Sequence, residues 1–404
     1  MNKSLAVFLL LITLMVAQSC NQLREPSLPG EAMAVPSATA VQTYVWIVTE
    51  PSVPVTDTYD VNLGVGSLGS YLAYRTPSGA ASSFNIKLFS EASGWSDVLL
   101  NFMTDYGSSS KWFSITSEKL FVVRTDALGY IYVYSKPAAT GDFQLLGTNP
   151  IAGPGCVEAT ILSNPVMPAS SGVEVVVAYI DTADNSRLRI KRIYDYYSLY
   201  DWYDATFDGT EPSVNRLNDK GSLALGGYFG SSGSLYLAYA DGASNTVAGY
   251  GEAGGSSSSF YINPGSPVCG ARGAVSYIVT GFTTTYRHII GYSDAGLSGK
   301  AVIQGRLFQA SEYAYMGGGP ASDSGVKYLS LSTGSNILIA FADTSADDRL
   351  VVKRFNVSGW DNIGVPQEPI ESCSVSVLPS PLRPCVAYTT TQALGRRLKF
   401  VYAE

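Results

Sequence analysis

Histidine is almost missing from this chain: His288 is the only one in 404 residues. One imidazole cannot build a multi-histidine metal centre and leaves almost no room for a nucleophile–histidine pair, so neither a metal nor a cofactor is expected. Charge is sparse as well, at 15% of residues, and 26 Lys and Arg stand against 33 Asp and Glu for a net charge of −7. A nucleic-acid binder must neutralise phosphates with clustered cations, so that class of partner is excluded. Low charge beside 46% hydrophobic residues excludes intrinsic disorder too. Single hydrophobic cores stop growing at roughly 250 to 300 residues, so a chain of this length needs two domains or a repeat.

The one long apolar run lies at the start, LAVFLLLITLMVA from Leu5 to Ala17 behind Lys3. As a helix it would rise only about 20 Å, short of the roughly 30 Å of a bilayer core, and it reads as a signal peptide over residues 1–19. Ala17-Gln18-Ser19-Cys20 then resembles the lipobox of bacterial lipoproteins, in a relaxed form because Gln18 stands where a small residue is usual. The resemblance implies cleavage before Cys20 and acylation of that residue, so that lipid holds the protein to a membrane of the cell envelope. Asn21 is not the Asp that in this resemblance marks retention at the inner membrane, which favours the outer one. Residues 20–40, interrupted by Pro26, Pro29 and Pro36, read as a flexible tether.

The remainder repeats. VVVAYIDTADNSRLRIKRI from Val175 and ILIAFADTSADDRLVVKRF from Ile337 share an aromatic, an Asp-Thr step and an Arg-Leu-x-x-Lys-Arg run at equal offsets. Weaker copies place Tyr74, Val123, Tyr179, Tyr239, Tyr292, Phe341 and Tyr388 at one repeat position, about every 52 residues. Each unit divides into four short strands rich in β-branched and aromatic residues, with Gly, Ser, Asn and Asp between them. Four antiparallel strands in a unit of about 50 residues is the pattern of a propeller blade. The expected fold for residues 41–404 is therefore all-β, a seven-bladed β-propeller of four-stranded antiparallel blades. The last unit holds only three strands, and residues 43–49 (TYVWIVT) form a strand without a unit. Joining the two closes the ring and leaves no long sheet edge open.

Four units carry an aspartate two residues after the repeat aromatic: Asp181, Asp241, Asp294 and Asp343. Such an Asp can cap the turn between second and third strands, and Asp181 or Asp343 can pair with Arg187 or Arg349; alternatively the four form a loop face for a cation or sugar hydroxyls. Ser293-Asp294-Ala295-Gly296 echoes part of the Ser-x-Asp-x-Gly-x-Thr-Trp box of the sialidase family, with the Asp displaced by one and no Trp following. That resemblance would imply an arginine cluster, for which Arg75, Arg124 and Arg272 are candidates.

The third unit contains an insertion, YDYYSLYD, absent from the sixth. It sets Tyr196, Tyr197, Tyr200 and Trp202 among Asp195, Asp201 and Asp204, an arrangement suited to stacking on sugar faces, to a protein contact, or to packing on a neighbouring blade. Cys373 and Cys385 flank a turn and could oppose each other as a disulfide. The expected function is a lipid-anchored binding or scaffold module for a glycan or an envelope protein. The alternative is a sialidase-like or other glycan-processing enzyme on the same fold.

Overall fold

Second strands such as ILIAFAD (Ile337–Asp343) are apolar on both faces, and the structure buries both: five consecutive residues of this strand are shielded from solvent. A sheet reads this way when another sheet covers each of its sides. The computed structural model describes residues 44–51, 58–78, 81–105, 111–116, 119–165, 173–195, 201–204, 206–207, 214, 223–228, 234–240, 246–251, 259–260, 269–271, 275–283, 285–307, 312–333, 336–356, 358–379 and 381–404. The segments expected as signal peptide and tether, with Cys20, lie outside these residues.

The fold is an all-β propeller with four-stranded antiparallel blades. Sheet 1 runs Tyr59–Gly66, Gly69–Ser78, Ala81–Ser90, Gly94–Asp105, and sheet 2 runs Phe113–Ile115, Lys119–Thr125, Ile131–Pro137, Gln144–Leu145. Sheet 3 comprises Cys156–Pro165, Val173–Asp181, Arg187–Asp195 and Tyr203–Asp204, and sheet 4 Leu223–Tyr228, Ser234–Ala240, Thr246–Gly251 and Cys269–Gly270. Sheet 5 is built from Val275–Gly281, Tyr286–Asp294, Lys300–Leu307 and Ala314–Tyr315; sheet 6 from Val326–Thr333, Ile337–Asp343, Arg349–Asn356 and Gly359–Asn362. In sheet 7, Ile370–Pro379, Leu382–Thr390 and Leu398–Ala403 are joined by Trp46–Thr49, which pairs antiparallel with the last of them. A short parallel pair, Thr206–Phe207 with Ser259–Phe260, stands apart.

In sheets 1, 3 and 7 the first strand has amides without a partner in its own sheet, and hydroxyls on the adjacent first strand take them up. Val61 N and Leu63 N donate to Ser372 Oγ and Ser374 Oγ at 2.8 and 3.0 Å, Val375 N to Ser330 Oγ at 3.0 Å, and Ser163 N to Ser114 Oγ at 2.9 Å. Serine fits here because it is small enough for close strand approach and still accepts.

Between blades the core is apolar. The repeat residues Tyr74, Val123, Tyr179, Tyr239, Tyr292, Phe341 and Tyr388 are all buried in second strands. Phe400 and Tyr402 of sheet 7 pack with Leu72, Tyr74 and Phe89 of sheet 1. Tryptophans pin the outer strands in a recurring way. Trp202 Nε1 donates to Leu146 O at 2.7 Å, Trp360 Nε1 to Met316 O at 2.9 Å, and Trp46 Nε1 to Ile363 O at 3.3 Å. A left-handed glycine follows each accepting residue, and a Cβ on Gly317 would stand 3.1 Å from the Trp360 ring. The indole edge reaches its carbonyl because that glycine is bare.

The disulfide expected between Cys373 and Cys385 is not formed; both thiols are free and buried. Register explains this: Cys373 faces Tyr388 and Cys385 faces Ser376, because the hairpin turns between Pro379 and Leu382 and not around Pro379. The two cysteines are three residues out of step. Cys373 Sγ instead donates to Tyr328 O of sheet 6 at 2.8 Å, and burial pushes both thiols well above their ordinary range.

Candidate functional site

The turn joining second to third strands is built the same way in three sheets. Asp181, Asp294 and Asp343 each cap a single 3₁₀ turn, their Oδ1 accepting from Ala183 N, Gly296 N and Ser345 N at 3.0, 2.8 and 2.9 Å. A short acceptor two residues ahead of a free amide does this job. Burial pushes the Asp343 carboxyl upward, but hydrogen bonds from Ser324 and Ser345 outweigh it and hold the group below the usual carboxylate range. Asp241 lies outside the described residues. Arg187 does not pair with Asp181; Asp184 takes both Arg189, at 2.6 Å, and Arg187, at 3.5 Å.

Each such turn ends on a residue with positive φ whose carbonyl receives the chain entering the next sheet. Cys156 N donates to Gly129 O, Val326 N to Gly299 O, Ile370 N to Asp348 O, and Thr58 N to Arg396 O, at 2.8 to 3.1 Å. The turns and the starts of the first strands therefore share one end of the fold.

At that end the first strands carry a second regularity. Shortly after they begin, a bulge puts a non-glycine residue at positive φ: Asp60 (55°), Glu158 (50°), Tyr277 (55°) and Tyr328 (56°). Sheet 7 bulges at Glu371, and in sheet 2 Lys111 precedes Trp112, whose carbonyl pairs with Val123 as Val61 pairs with Tyr74 in sheet 1. Bulges of this kind re-aim side chains, and strained φ values gather at functional sites. Six sheets thus carry a polar or phenolic residue near the start of the first strand, at the end of the fold that forms the mouth of the propeller: Asp60, Lys111, Glu158, Tyr277, Tyr328 and Glu371.

Contacts link these residues around the mouth. Tyr277 and Tyr328 meet at 5.8 Å between ring centroids. Burial, then the neighbouring Tyr328 and Asp348, pushes the Tyr277 phenol up to about 12. Glu371 Oε2 accepts from Arg396 Nε at 2.8 Å. Asp60 Oδ2 takes the Arg75 guanidinium at 2.9 Å and the Trp112 indole N–H at 3.2 Å. Arg75 is 4% exposed and lies over both Phe84 and Trp112, 5.3 and 5.1 Å from their centroids. Aromatic faces on a buried guanidinium offset part of its desolvation. Arg124 lies over Tyr132 of its own sheet, so the two arginines are held by different partners; Arg272 is outside the described residues.

At the opposite end, His288 is buried between sheets 4 and 5. Thr280 Oγ1 donates to Ile289 O, so it accepts from His288 Nε2–H at 2.7 Å, and His288 Nδ1 accepts from the Tyr313 hydroxyl at 2.6 Å. Tyr236 stacks on the imidazole at 5.0 Å.

Of the tyrosine-rich insertion, Tyr196, Tyr197 and Tyr200 lie outside the described residues. Trp202 is half-buried against the core and is the pin on Leu146, so it packs on the neighbouring blade. The mouth residues Asp60, Lys111, Glu158 and Glu371 escape a reading of the sequence because their distance to the repeat aromatic varies with hairpin length. The signal that was there is a lone acid set among strand formers: YDV, VEA and IES.

No family model and no curated protein matches this sequence. Among solved structures, the chain is similar to the BP39L lectin from Burkholderia pseudomallei, with TM-score 0.57 and 14% identity over 86% of this chain and 96% of that one. It is also similar to an ulvan lyase of polysaccharide lyase family 25, with TM-score 0.53 and 11% identity over 86% and 95%. At such identities the likeness concerns the fold.

Proposed function

We propose that this chain is a glycan-binding propeller of seven blades, closed through Trp46–Thr49 and held to the outer membrane of a bacterium by lipid on Cys20. The observation that carries the carbohydrate reading is the mouth, the end of the fold at which six first strands carry carboxylates, an ammonium and phenols near their starts. Such a set offers acceptors and donors to a hydroxyl-rich ligand and ring faces to its C–H surfaces. The names of the two similar propellers, a lectin and a polysaccharide lyase, agree with it. Ring closure is supported by the pairing of Trp46–Thr49 with Leu398–Ala403 and by the packing of sheet 7 against sheet 1. An enzymatic reading has one observation behind it, the Tyr313 hydroxyl bonded to His288, and release of shorter chains from a bound polysaccharide would reveal it.

A glycan array followed by titration calorimetry tests the binding. Tyr277→Ala or Tyr328→Ala should weaken a bound glycan about fivefold to tenfold, the worth of one lost ring contact. The array hit should then be titrated against the triple variant with Tyr196, Tyr197 and Tyr200 replaced by Ser. A larger loss there than at the mouth would move the site to the insertion.

Anchoring is tested by Cys20→Ala. The variant should lose the acyl group and either be released from the membrane fraction or accumulate as the unprocessed precursor, because lipid on Cys20 is what gives the mature chain its affinity for the bilayer. A variant that is processed to the wild-type size and still sediments with membranes would remove lipid attachment from the reading.

A further inference from the structure

At the end opposite the mouth, Arg306 carries a charge that no carboxylate meets. It is half-buried, its Nε is sealed from water without a hydrogen-bond partner, and it forms no ion pair among the described residues. Arg75 and Arg383, by contrast, each give a terminal nitrogen to an acid, Asp60 and Glu91. Register fixes the surroundings of Arg306. On one side it stands opposite His288; on the other, Gln304 pairs with Tyr315 and Gly305 with Ala314, which brings Tyr313 beside it at the next step. Side chains directly opposite share a face of the sheet. Arg306 thus rises between His288 and Tyr313, and the 2.6 Å hydrogen bond joining those two crosses the strand that carries it. Gln304, two residues back on the same face, is 6% exposed, and its amide has no hydrogen-bond partner among the described residues. Ile290, opposite Gln304, packs into the core shared with sheet 4, so the row faces that sheet, where Tyr236 stacks on His288 and Phe282 on Tyr236 at 6.2 Å. Arg306, Tyr313 and Phe282 are half-buried, so solvent reaches the row.

We propose that this row is a ligand site of its own, separate from the mouth, and that it takes a sugar acid through Arg306. A partly buried guanidinium without a countercharge costs stability, and no ion pair or hydrogen bond of the fold uses it. Its planar fork matches a carboxylate, and a single cation suits one negative charge better than the two of a phosphate. The neighbours narrow the ligand further. Tyr313 gives its proton to His288 Nδ1, so toward a ligand the phenol oxygen accepts, and its counterpart is a hydroxyl. The Gln304 amide both donates and accepts, which again suits hydroxyls. Phe282 adds a ring face for C–H groups. One carboxylate, several hydroxyls and an apolar face together describe a uronic acid unit.

Fragments of polygalacturonate, polymannuronate and hyaluronan, each compared with its methyl ester by titration calorimetry, test the site. At least one free acid should bind about tenfold more tightly than its ester in low salt, with the gap closing as salt rises. Arg306→Met should remove the gap, and its unfolding midpoint in urea should stay level or rise, since an uncompensated charge has gone. Tyr313→Phe should weaken the acid about fivefold, and Tyr277→Ala at the mouth should leave the affinity of the acid unchanged. No preference for any acid in the wild type, or a preference that survives Arg306→Met, overturns the inference. A lowered midpoint for Arg306→Met would make the arginine a structural residue and overturn it as well. An affinity that falls as far with Tyr277→Ala as with Arg306→Met would move the acid to the mouth, overturning this second site and leaving the carbohydrate reading of the mouth standing.

Discussion

Removing residues 1–49 should cost about 4 kcal/mol of stability, whereas removing residues 1–42 should cost less than about 0.5 kcal/mol. The difference lies in one strand. Trp46 to Thr49 pair residue for residue with Ala403 to Phe400, and Glu404 N extends the contact to Val45 O at 2.9 Å. Losing these backbone bonds uncovers the edge of Leu398–Ala403, at about 1 kcal/mol for each bond not replaced by water of equal quality. Trp46 adds its burial and its bond to Ile363 O, and Thr49 adds its bond to the Trp95 indole, which ties the strand to sheet 1. The shorter truncation touches none of this. Urea unfolding of the two truncated chains beside the full one gives the answer, and equal midpoints for the two truncations would contradict closure through this strand. The longer truncation should also aggregate more readily, since it exposes an unpaired edge.

Much of the strand plan was legible in the sequence because the repeat is built from what sheet physics demands. In the sixth unit, strands read from composition over residues 326–331, 336–343 and 349–355, with a last one opening at Trp360, fall within a residue or two of Val326–Thr333, Ile337–Asp343, Arg349–Asn356 and Gly359–Asn362. Second strands are apolar on both faces and share an aromatic position, so they align without gaps. The turn aspartates were legible for a similar reason: Asp181, Asp294 and Asp343 each lie a fixed two residues past that aromatic, and each meets an amide two residues on.

Where the sequence misled, a distance of one or two residues decided the outcome. The Cys373–Cys385 hairpin has its turn a residue and a half further along than symmetry about Pro379 suggests, and a disulfide tolerates no such slip. Arg187 lies opposite Asp181 in register, yet the 3₁₀ turn brings Asp184 back over the hairpin and takes the guanidinium. The mouth was hidden for a different reason. Its residues are defined by bulges, and a bulge depends on the local backbone and on the neighbouring sheet, neither of which leaves a periodic trace. The serines that stitch first strands together were equally silent, since an alternating Ser in a strand reads as a solvent-facing residue.

The same dependence on neighbours makes Arg75→Ala the substitution at the mouth with the largest expected effect, about 3 kcal/mol of stability together with loss of ligand binding. Two contributions add up and a third opposes them. The Arg75 guanidinium packs against the stacked pair of Phe84 and Trp112, whose centroids are 4.6 Å apart, so truncation strips a buried group from both rings and opens a gap beside them. Asp60 then keeps its bond from Trp112 Nε1 but loses its countercharge. That carboxylate is 30% exposed, so solvent compensates part of the loss and the cost stays below the full penalty of a buried orphan charge. Against these, the bulge at Asp60 holds an L-residue at a φ of 55°, and its relaxation once the arginine is gone recovers a little of the cost while carrying Asp60 out of place. Arg75→Lys separates these contributions. It keeps the charge but not the planar stack, and should recover about half of the stability while leaving Asp60 free to turn away from the mouth. Chemical denaturation reads the first effect and glycan titration the second. A variant that loses stability and keeps full affinity would place Asp60 outside the binding surface.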